Sequence, residues 1–284
     1  MNNSYKLPEG NVQIAFSGGR TSGYMLYKIL EANNGLPDNA KVIFTNTGRE
    51  MPETYDFIQE CSDRWRVNIT WLEYVKQGKE RVTFNIVNHN SASRNGEPFE
   101  KLIDYAKRVP NVYQRFCTQE LKVKTVRRYL VQDLGWKKWS TAIGIRSDET
   151  HRAKYKGDSK ETEWYPIIPN TIGQRDIINF WKQQPFDLRV TKGFGNCDGC
   201  FLKSEKTLAV LWKLHPERAT WWANQEAKVF PGKDPNKKAM QTFKKQLDYG
   251  TSYSELGDVV SRQGDWIFDD KDYFCQANHG ECTG

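Results

Sequence analysis

The feature that most constrains this fold is a short apolar run that ends directly in a glycine turn. Residues 12–16 (VQIAF) have the character of a buried strand, and SGGRTS at residues 17–22 follows at once. From residue 21 to 33 the apolar side chains recur on one face of a helix, which Gly35 and Pro37 end. The chain therefore begins with a strand, a tight turn and a helix.

The same alternation continues along the chain. Residues 41–45 and 68–75 read as buried strands, and residues 52–65 between them read as a helix. Since successive strands joined by helices require right-handed crossovers, we predict a parallel sheet and an α/β class. Residues 76–98 are polar and rich in Gly, Asn and Ser, so we predict a loop there.

Further elements complete a predicted five-stranded, doubly wound parallel sheet. They are a helix over 99–108, strands over 139–145 and 165–168, and a helix over 174–184. A further helix is capped by Thr118 and ended by Gly135, with Val123, Val126, Leu130 and Leu134 on one face. Beyond Cys200 the pattern becomes helical and basic. We therefore predict a nucleotide-binding α/β domain over residues 1–200 and a helical C-terminal extension with a cysteine-containing tail over 201–284.

Composition narrows the class of protein. Aromatic residues make up 13% of the 284 residues, which is enough to fill a core and excludes a disordered chain. No apolar stretch approaches the roughly 18 residues of a membrane span, and the N-terminus lacks a signal sequence, so we expect a cytoplasmic protein without membrane contact. The net charge of +7 favours an anionic ligand, whether nucleotide, sulfate or nucleic acid.

The glycine turn has the chemistry of a phosphate site. Glycines let the backbone approach an anion closely, and the following helix offers free N–H groups and the positive end of its dipole. Ser17, Thr21 and Ser22 add hydroxyl donors. The turn is neither a Walker A loop nor G-x-G-x-x-G, and from these six residues alone a plain strand–helix connection remains open.

Four blocks of sequence resemble one family. SGGRTS resembles the SGGxDS loop of the PP-loop, or adenine nucleotide α-hydrolase-like, enzymes. KVIFTNTGREMPETY (41–55), TAIGIRSDETHR (141–152) and YPIIPNTIGQRDIINF (165–180) are similar to segments of phosphoadenylyl-sulfate (PAPS) and adenylyl-sulfate reductases. Because the blocks occur in the same order over about residues 11–200, the chain is identified as a member of the PAPS reductase family.

The resemblance implies a set of nucleotide-binding residues. The arginines among them would contact sulfate or phosphate. In two places an Asp of the family pattern is replaced, by Thr21 and by Asn46, which favours a phosphosulfate nucleotide over Mg–ATP. The implied residues are Ser17, Gly18, Gly19, Arg20, Thr21, Ser22, Asn46, Thr47, Gly48, Arg146 and Arg152.

Six cysteines in a chain without a secretory signal indicate metal ligation or redox chemistry rather than disulfides. Cys197 and Cys200 form a C-x-x-C turn that points two thiols at one metal. Cys117 precedes a predicted helix N-terminus and several cations, so we expect it to ionise easily. Cys61, inside a predicted helix, is expected to be a buried apolar filler.

The resemblance to adenylyl-sulfate reductases implies a 4Fe–4S cluster on these thiols. Phe116 stands where that family has the first of two adjacent cysteines, so only Cys117, Cys197 and Cys200 match. We predict Cys275 as the fourth ligand, with Cys282 the other candidate. Zinc, or a thiol group with a redox or structural role, remains an alternative.

The tail supplies a candidate nucleophile. Glu281-Cys282 resembles the Glu-Cys-Gly context of the reductases, whose cysteine attacks the sulfate sulfur before thioredoxin or glutaredoxin releases sulfite. We therefore predict an enzyme that reduces an adenosine phosphosulfate to sulfite. The alternatives are an ATP-dependent PP-loop sulfurtransferase acting on tRNA or DNA, and an inactive nucleotide-binding module. The oligomeric state is left open.

Overall fold

The chain forms a six-stranded sheet in this computed structural model, which describes residues 3–76, 82–153, 160–229, 243 and 252–262. The strands are β1 (Val12–Ala15), β2 (Ala40–Asn46), β3 (Ile69–Lys76), β4 (Val82–Val87), β5 (Trp139–Ala142) and β6 (Glu161–Trp164). Their order is β4-β3-β2-β1-β5-β6, and every neighbouring pair is parallel except β3–β4. The predicted α/β class is confirmed.

Helices connect the strands and continue beyond the sheet. They are α1 (Arg20–Asn33), α2 (Pro52–Trp65), α3 (Glu97–Ala106), α4 (Lys124–Arg128), α5 (Gln174–Lys182), α6 (Glu205–Leu214), α7 (Pro216–Val229) and α8 (Tyr253–Arg262). Short 3₁₀ helices span Ser147–Arg152 and Ile168–Asn170. None of the helices in the described ranges has the length and apolarity needed to cross a bilayer.

The sheet is buried on both faces, as the predicted doubly wound arrangement requires. Val42 and Phe44 of β2 belong to the larger core, whereas Ile43 between them belongs to a second cluster. Trp71 and Leu72 of β3 divide in the same way. Because successive side chains of a strand point to opposite faces, this division shows two apolar layers, one on each side of the sheet.

The strand order reverses next to β1, and this reversal positions the site. The chain passes from β1 to β2 on one side and later returns to β5 on the other. The carboxyl ends of β1 and β5 therefore diverge into opposite crossovers and leave a crevice, which is where open α/β sheets bind ligands. The glycine turn follows β1 directly at this edge.

Two details of the predicted sheet were wrong. The predicted loop over 76–98 contains β4, which pairs antiparallel with β3 and makes six strands instead of five. Polar flanks hid this six-residue strand, although valine, phenylalanine and isoleucine alternate along it. The last strand is β6 rather than residues 165–168. Pro166 and Pro169 lack the N–H that a parallel ladder needs, and a 3₁₀ helix begins at Ile168.

The helix predicted from Thr118 exists, but its first residue and its buried face differ from the prediction. Thr118–Val123 and Tyr129–Asp133 are π-helical turns on either side of α4, so Thr118 lies within the helix instead of capping it. A π turn inserts one extra residue and rotates the following side chains. Val126 and Leu130 accordingly face the core, whereas Val123, predicted on the same face, is exposed.

The larger core continues past residue 200. Leu208, Leu211, Trp212 and Trp222 belong to the same buried cluster as the strand residues Ile14 and Phe44. The helices beyond the C-x-x-C turn therefore share one interior with the sheet. The division into units at residue 200 stays a prediction, and it coincides with no break in this core.

Gly23 provides a test of how tightly α1 packs on α5. A Cβ at this position would lie 2.6 Å from Cζ2 of Trp181 and 3.3 Å from Phe57. Although alanine is favoured over glycine by about 1 kcal/mol inside a helix, we expect Gly23→Ala to lower the free energy of unfolding by about 1–3 kcal/mol through overpacking. Urea denaturation measures the change.

Gly257→Ala in α8 is the matched control. It is also a helical glycine, but an added Cβ meets nothing within 4 Å. We expect this substitution to raise the free energy of unfolding by about 0.5–1 kcal/mol. A stabilising Gly23→Ala would contradict the packing described for α1 and α5.

Candidate functional site

The glycine turn after β1 depends on the absence of a side chain at residue 18. Gly18 has a φ of 76°, and a Cβ there would lie 2.8 Å from Thr54 and 2.9 Å from Ile58 of α2. Gly19 precedes α1 and has no side chain to cap the helix. The first N–H groups of a helix that lacks a side-chain cap can bind an anion, and anion binding by residues 18–22 stays a prediction.

Two serines fix the shape of this turn. The Ser17 N–H donates to Ser22 Oγ at 3.2 Å, and Ser22 Oγ donates to the carbonyl oxygen of Gly19 at 2.9 Å. The two hydroxyl oxygens lie 3.1 Å apart. Two of the three predicted phosphate-binding hydroxyls, those of Ser17 and Ser22, thus lie together in the turn.

A cavity of about 350 Å³ opens beside the turn. Residues 17–20 form one part of its lining, and Lys182 and Lys192 contribute cations from α5 and from the segment before the C-x-x-C turn. Arg20, for which nucleotide binding stays a prediction, donates from Nε and Nη2 to the carboxylate of Asp187 at 2.7 and 3.0 Å. This ion pair ties the glycine turn to the wall of the cavity.

Asn46 lies at the carboxyl end of β2 with its hydrogen bonds occupied inside the protein. Its Nδ2 donates to Glu73 at 2.6 Å and to the Ser93 carbonyl at 2.8 Å. Its Oδ1 accepts from the Gly48 N–H at 2.9 Å and from the Tyr55 hydroxyl at 3.1 Å. Nucleotide contact by Asn46 stays a prediction, whereas its described contacts hold in shape the segment between β2 and α2, residues 47–51, which we call the β2 turn.

Thr47 joins the β2 turn to the C-x-x-C turn. Its Oγ1 donates to Glu50 at 2.8 Å and lies 3.3 Å from Sγ of Cys197. The predicted nucleotide residues after β2 and one predicted metal ligand are therefore neighbours, although 150 positions separate Thr47 from Cys197 in sequence.

Arg146 reaches the glycine turn and is also paired with carboxylates, while its contact with sulfate or phosphate stays a prediction. The side chain is 1% exposed, and its Nη1 donates to Thr21 Oγ1 at 3.4 Å. Its Nε lies 2.9 Å from Asp148, and its Nη2 lies 3.0 Å from Glu149. Arg152 contacts the same Glu149 at 3.1 Å. Any anion at Arg146 would share it with these two carboxylates, which the sequence analysis did not assign a role.

Asp198, between the two cysteines of the C-x-x-C turn, is a residue of the candidate site that was not predicted from the sequence. It is fully buried and accepts from Arg49, from Arg218 and from the indole N–H of Trp222. The only available signal was an acidic residue inside a thiol turn. The residues that donate to Asp198 are far away in sequence, so no local pattern could predict their arrangement.

The thiols are close enough to affect one another's pKa. Burial raises the pKa of the Cys117 thiol to about 11, with a further contribution from Cys200, while Lys122 lowers it. Burial and Glu50 raise the pKa of Cys197. The expectation that Cys117 ionises easily was wrong for the metal-free protein, because desolvation outweighs the nearby cation. Cys61 is fully buried, as predicted.

Among the described residues, no three His, Cys, Asp or Glu side chains are arranged to hold a metal ion. The predicted ligands Cys117, Cys197 and Cys200 therefore do not form a complete metal site by themselves. The predicted fourth ligand, Cys275, and the predicted nucleophile, Cys282, lie outside the described residues.

A family model for the phosphoadenosine phosphosulfate reductase domain matches residues 11–169, which is more than half of the chain. The chain belongs to the phosphoadenosine phosphosulfate reductase domain family. The predicted family is thereby confirmed, and the matched residues extend from β1 to the segment that follows β6.

Two relatives cover most of this member of the phosphoadenosine phosphosulfate reductase domain family. It is 31% identical over 204 residues to the uncharacterised nin region protein ORF290 of Escherichia phage lambda, with 70% of this chain and 69% of the relative covered. It is 22% identical over 233 residues to an uncharacterised protein of Methanocaldococcus jannaschii. That match covers 79% of this chain but 42% of the archaeal protein.

Two solved structures are also similar to this family member. A PAPS reductase from Candida auris in a phosphate complex aligns with a TM-score of 0.40 and 15% identity, over 63% of this chain and 74% of that one. A U34-tRNA thiolase from Methanococcus maripaludis with its 4Fe–4S cluster aligns with a TM-score of 0.33 and 13% identity, over 81% of this chain and 70% of that one.

The raised pKa of Cys117 predicts a pH profile for its reactivity in the metal-free protein. Because only the thiolate reacts, the alkylation rate should rise steadily with pH and reach half of its maximum near pH 11. Lys122→Met removes the cation that lowers this pKa, so labelling below that pH should slow about twofold. Timed iodoacetamide labelling with peptide mass spectrometry measures both rates. A midpoint of the Cys117 alkylation rate at about pH 8 would contradict this account.

Proposed function

We propose that this protein binds an adenosine phosphosulfate at the glycine turn and reduces it to sulfite. The observation that carries the proposal is the cavity beside the turn, where the start of α1 meets Lys182 and Lys192. Helix N–H groups and lysines both favour an anionic group over a neutral one. Membership of the phosphoadenosine phosphosulfate reductase domain family supports the choice of nucleotide.

The residues that replace the family's aspartates support a phosphosulfate over Mg–ATP. Thr21 is buried against Arg146, and Asn46 is held by Glu73, Ser93 and Tyr55. Neither position offers a carboxylate oxygen, which is the ligand that Mg²⁺ requires in such sites. A nucleotide that binds through backbone N–H groups and cations needs no such ligand.

The proposed reaction is the transfer of a sulfuryl group (SO₃⁻) to a thiol, followed by reduction. The Cys282 thiolate attacks the sulfate sulfur, an S–S bond forms, and the bond from sulfur to the phosphate oxygen breaks as adenosine bisphosphate leaves. A dithiol donor of the thioredoxin or glutaredoxin class then attacks the cysteine sulfur. Sulfite departs with the bonding electron pair, and the donor becomes a disulfide as Cys282 is regenerated.

An iron–sulfur cluster is a separate part of the proposal. Its support is that Cys200 and Lys122 act electrostatically on both Cys117 and Cys197, so the three thiols share one region. The described residues alone do not complete a metal site. For this reason no step of the proposed reaction passes through a cluster.

The first test compares nucleotides. We expect the protein to bind 3′-phosphoadenosine 5′-phosphate more tightly than Mg–ATP at matched salt, because Thr21 and Asn46 offer Mg²⁺ no carboxylate where the family has two aspartates. Isothermal titration calorimetry measures both affinities. A clear preference for Mg–ATP, with pyrophosphate released on adding tRNA or DNA, would favour the sulfurtransferase alternative.

Gly18→Ala and Gly10→Ala form a matched pair for the same measurement. Both glycines have positive φ, but a Cβ at Gly18 would clash with α2 whereas one at Gly10 meets nothing within 4 Å. We expect Gly18→Ala to weaken nucleotide binding by about tenfold or more, since the turn must deform. Gly10→Ala carries the same backbone strain outside the cavity and should leave affinity unchanged.

The second test concerns iron. Anaerobically purified protein should contain about four iron atoms per chain if the cluster is of the 4Fe–4S type. Cys197→Ser should lose iron and visible absorbance, whereas Cys61→Ala, which changes a fully buried thiol in α2, should keep both. Stoichiometric zinc without iron would contradict the cluster.

The same preparations separate the two tail cysteines. We expect Cys282→Ser to abolish sulfite formation while iron content and nucleotide affinity stay near wild type, because a nucleophile is needed only for chemistry. Cys275→Ser should instead lower the iron content. The reverse pattern would exchange their assigned roles, and full activity in both variants would remove the tail from the mechanism.

A further inference from the structure

We propose that Asp198 is a positioning residue: its buried carboxylate holds the C-x-x-C turn against the β2 turn and so keeps Cys197 beside Thr47. Asp198 is itself neither a nucleophile nor a predicted ligand, and it acts through the backbone of the turn that carries both thiols. An effect of Asp198 on the nucleotide rests on the proposed function, in which Thr47 borders the nucleotide.

The carboxylate of Asp198 accepts more hydrogen bonds than an isolated ion pair provides. Oδ2 accepts from Arg49 Nη2 at 2.6 Å and from Arg218 Nη1 at 2.5 Å. Oδ1 accepts from Trp222 Nε1 at 2.6 Å, from the Gly199 N–H at 2.8 Å and from Arg49 Nε at 3.3 Å. A buried carboxylate with this many donors is held in one orientation, because any rotation breaks charge-assisted bonds.

The link to the β2 turn is reciprocal. While Arg49 donates to the Asp198 carboxylate, the Asp198 N–H donates to the Arg49 carbonyl oxygen at 2.8 Å. The Arg49 guanidinium also stacks on Trp221, with its Cζ 4.5 Å from the ring centre. Arg49 follows Thr47 by two residues, so this clamp fixes the segment that carries Thr47 Oγ1, 3.3 Å from Cys197 Sγ.

The C-terminal helices hold the opposite side of the C-x-x-C turn. A Cβ on Gly199 would lie 2.3 Å from Nε1 of Trp222, so the indole packs directly on the turn backbone. The hydroxyl of Tyr253, the first residue of α8, donates to the Gly199 carbonyl oxygen at 2.7 Å. Asp198 therefore joins three separate parts of the chain at one point: the β2 turn, α7 and the thiol turn.

The experiment measures the alkylation rate of each cysteine in the protein as isolated. Asp198→Asn keeps the size of the side chain but removes the charge that balances Arg49 and Arg218. We expect alkylation of Cys197 and Cys200 by iodoacetamide to accelerate about tenfold, because the turn detaches locally. Cys61, fully buried in α2, should keep its wild-type rate, which a general loss of folding would not allow.

Two further variants keep the test decisive. Trp222→Phe retains an aromatic ring but loses the hydrogen bond to Asp198, and we expect a smaller acceleration of about threefold at Cys197. Glu31→Gln is the matched control, since it removes a carboxylate from the partly exposed Lys28–Glu31 ion pair on the surface of α1. It should leave every cysteine at its wild-type rate.

The outcomes separate this proposal from the proposed function. Acceleration at Cys197 and Cys200 alone supports the positioning role. Unchanged rates in folded Asp198→Asn, equal acceleration at Cys61, or, if that variant does not fold, unchanged rates in Trp222→Phe would overturn it. Protection of Cys197 by 3′-phosphoadenosine 5′-phosphate in the wild type tests the nucleotide placement separately. Without that protection the proposed function loses support while the role of Asp198 stands.

Discussion

The buried charge of Asp198 is the constraint on which the candidate site depends. A carboxylate at zero exposure is tolerated only when its charge is matched and its oxygens are bonded, and here two arginines, an indole and a backbone N–H supply this. Since those donors come from the β2 turn and from α7, the site exists only when both are in place. The sheet alone would leave Arg49 buried without its partner.

The polar side chains at the carboxyl ends of the strands serve two different purposes. Asn46 donates to Glu73, which also accepts from the Ser93 N–H, and Glu50 accepts from the Thr47 N–H. These hydrogen bonds hold the β2 turn rigid. The glycine turn, by contrast, has no side-chain cap at the start of α1 and lines the cavity. The strand ends thus supply a fixed frame, while in the proposed function the backbone and the cations around the cavity bind the anion.

Much of the fold could be predicted because its signals are local. The first three strands, α1 and α2 follow from apolar periodicity and from the glycine turn. The antiparallel strand β4 could not be predicted with the same ease, because it is short, has polar flanks and gains its order from pairing with β3. The strand expected at 165–168 is instead β6, a segment without proline, so every residue has the N–H that pairing with β5 requires.

The candidate site was predictable only where one segment carries the chemistry. The glycine turn and the C-x-x-C turn are such segments. The reactivity expected of Cys117 was wrong because it was judged from sequence neighbours, whereas desolvation by the folded chain sets its pKa. Asp198 illustrates the same limit, since Arg49 lies 149 positions before it and Trp222 lies 24 positions after it. No local pattern reports such partners.

The shared core has a consequence for how the chain is made. Synthesis proceeds from the N-terminus, so β1 to β6 leave the ribosome before α7 and α8 exist. Until then Trp222 cannot cover Gly199, and Tyr253 cannot bond the thiol turn. The C-x-x-C turn of the nascent sheet stays uncovered until α7 and α8 have been made and have packed on it. In this protein the site is assembled only after helices that lie far from the sheet in sequence have been synthesised.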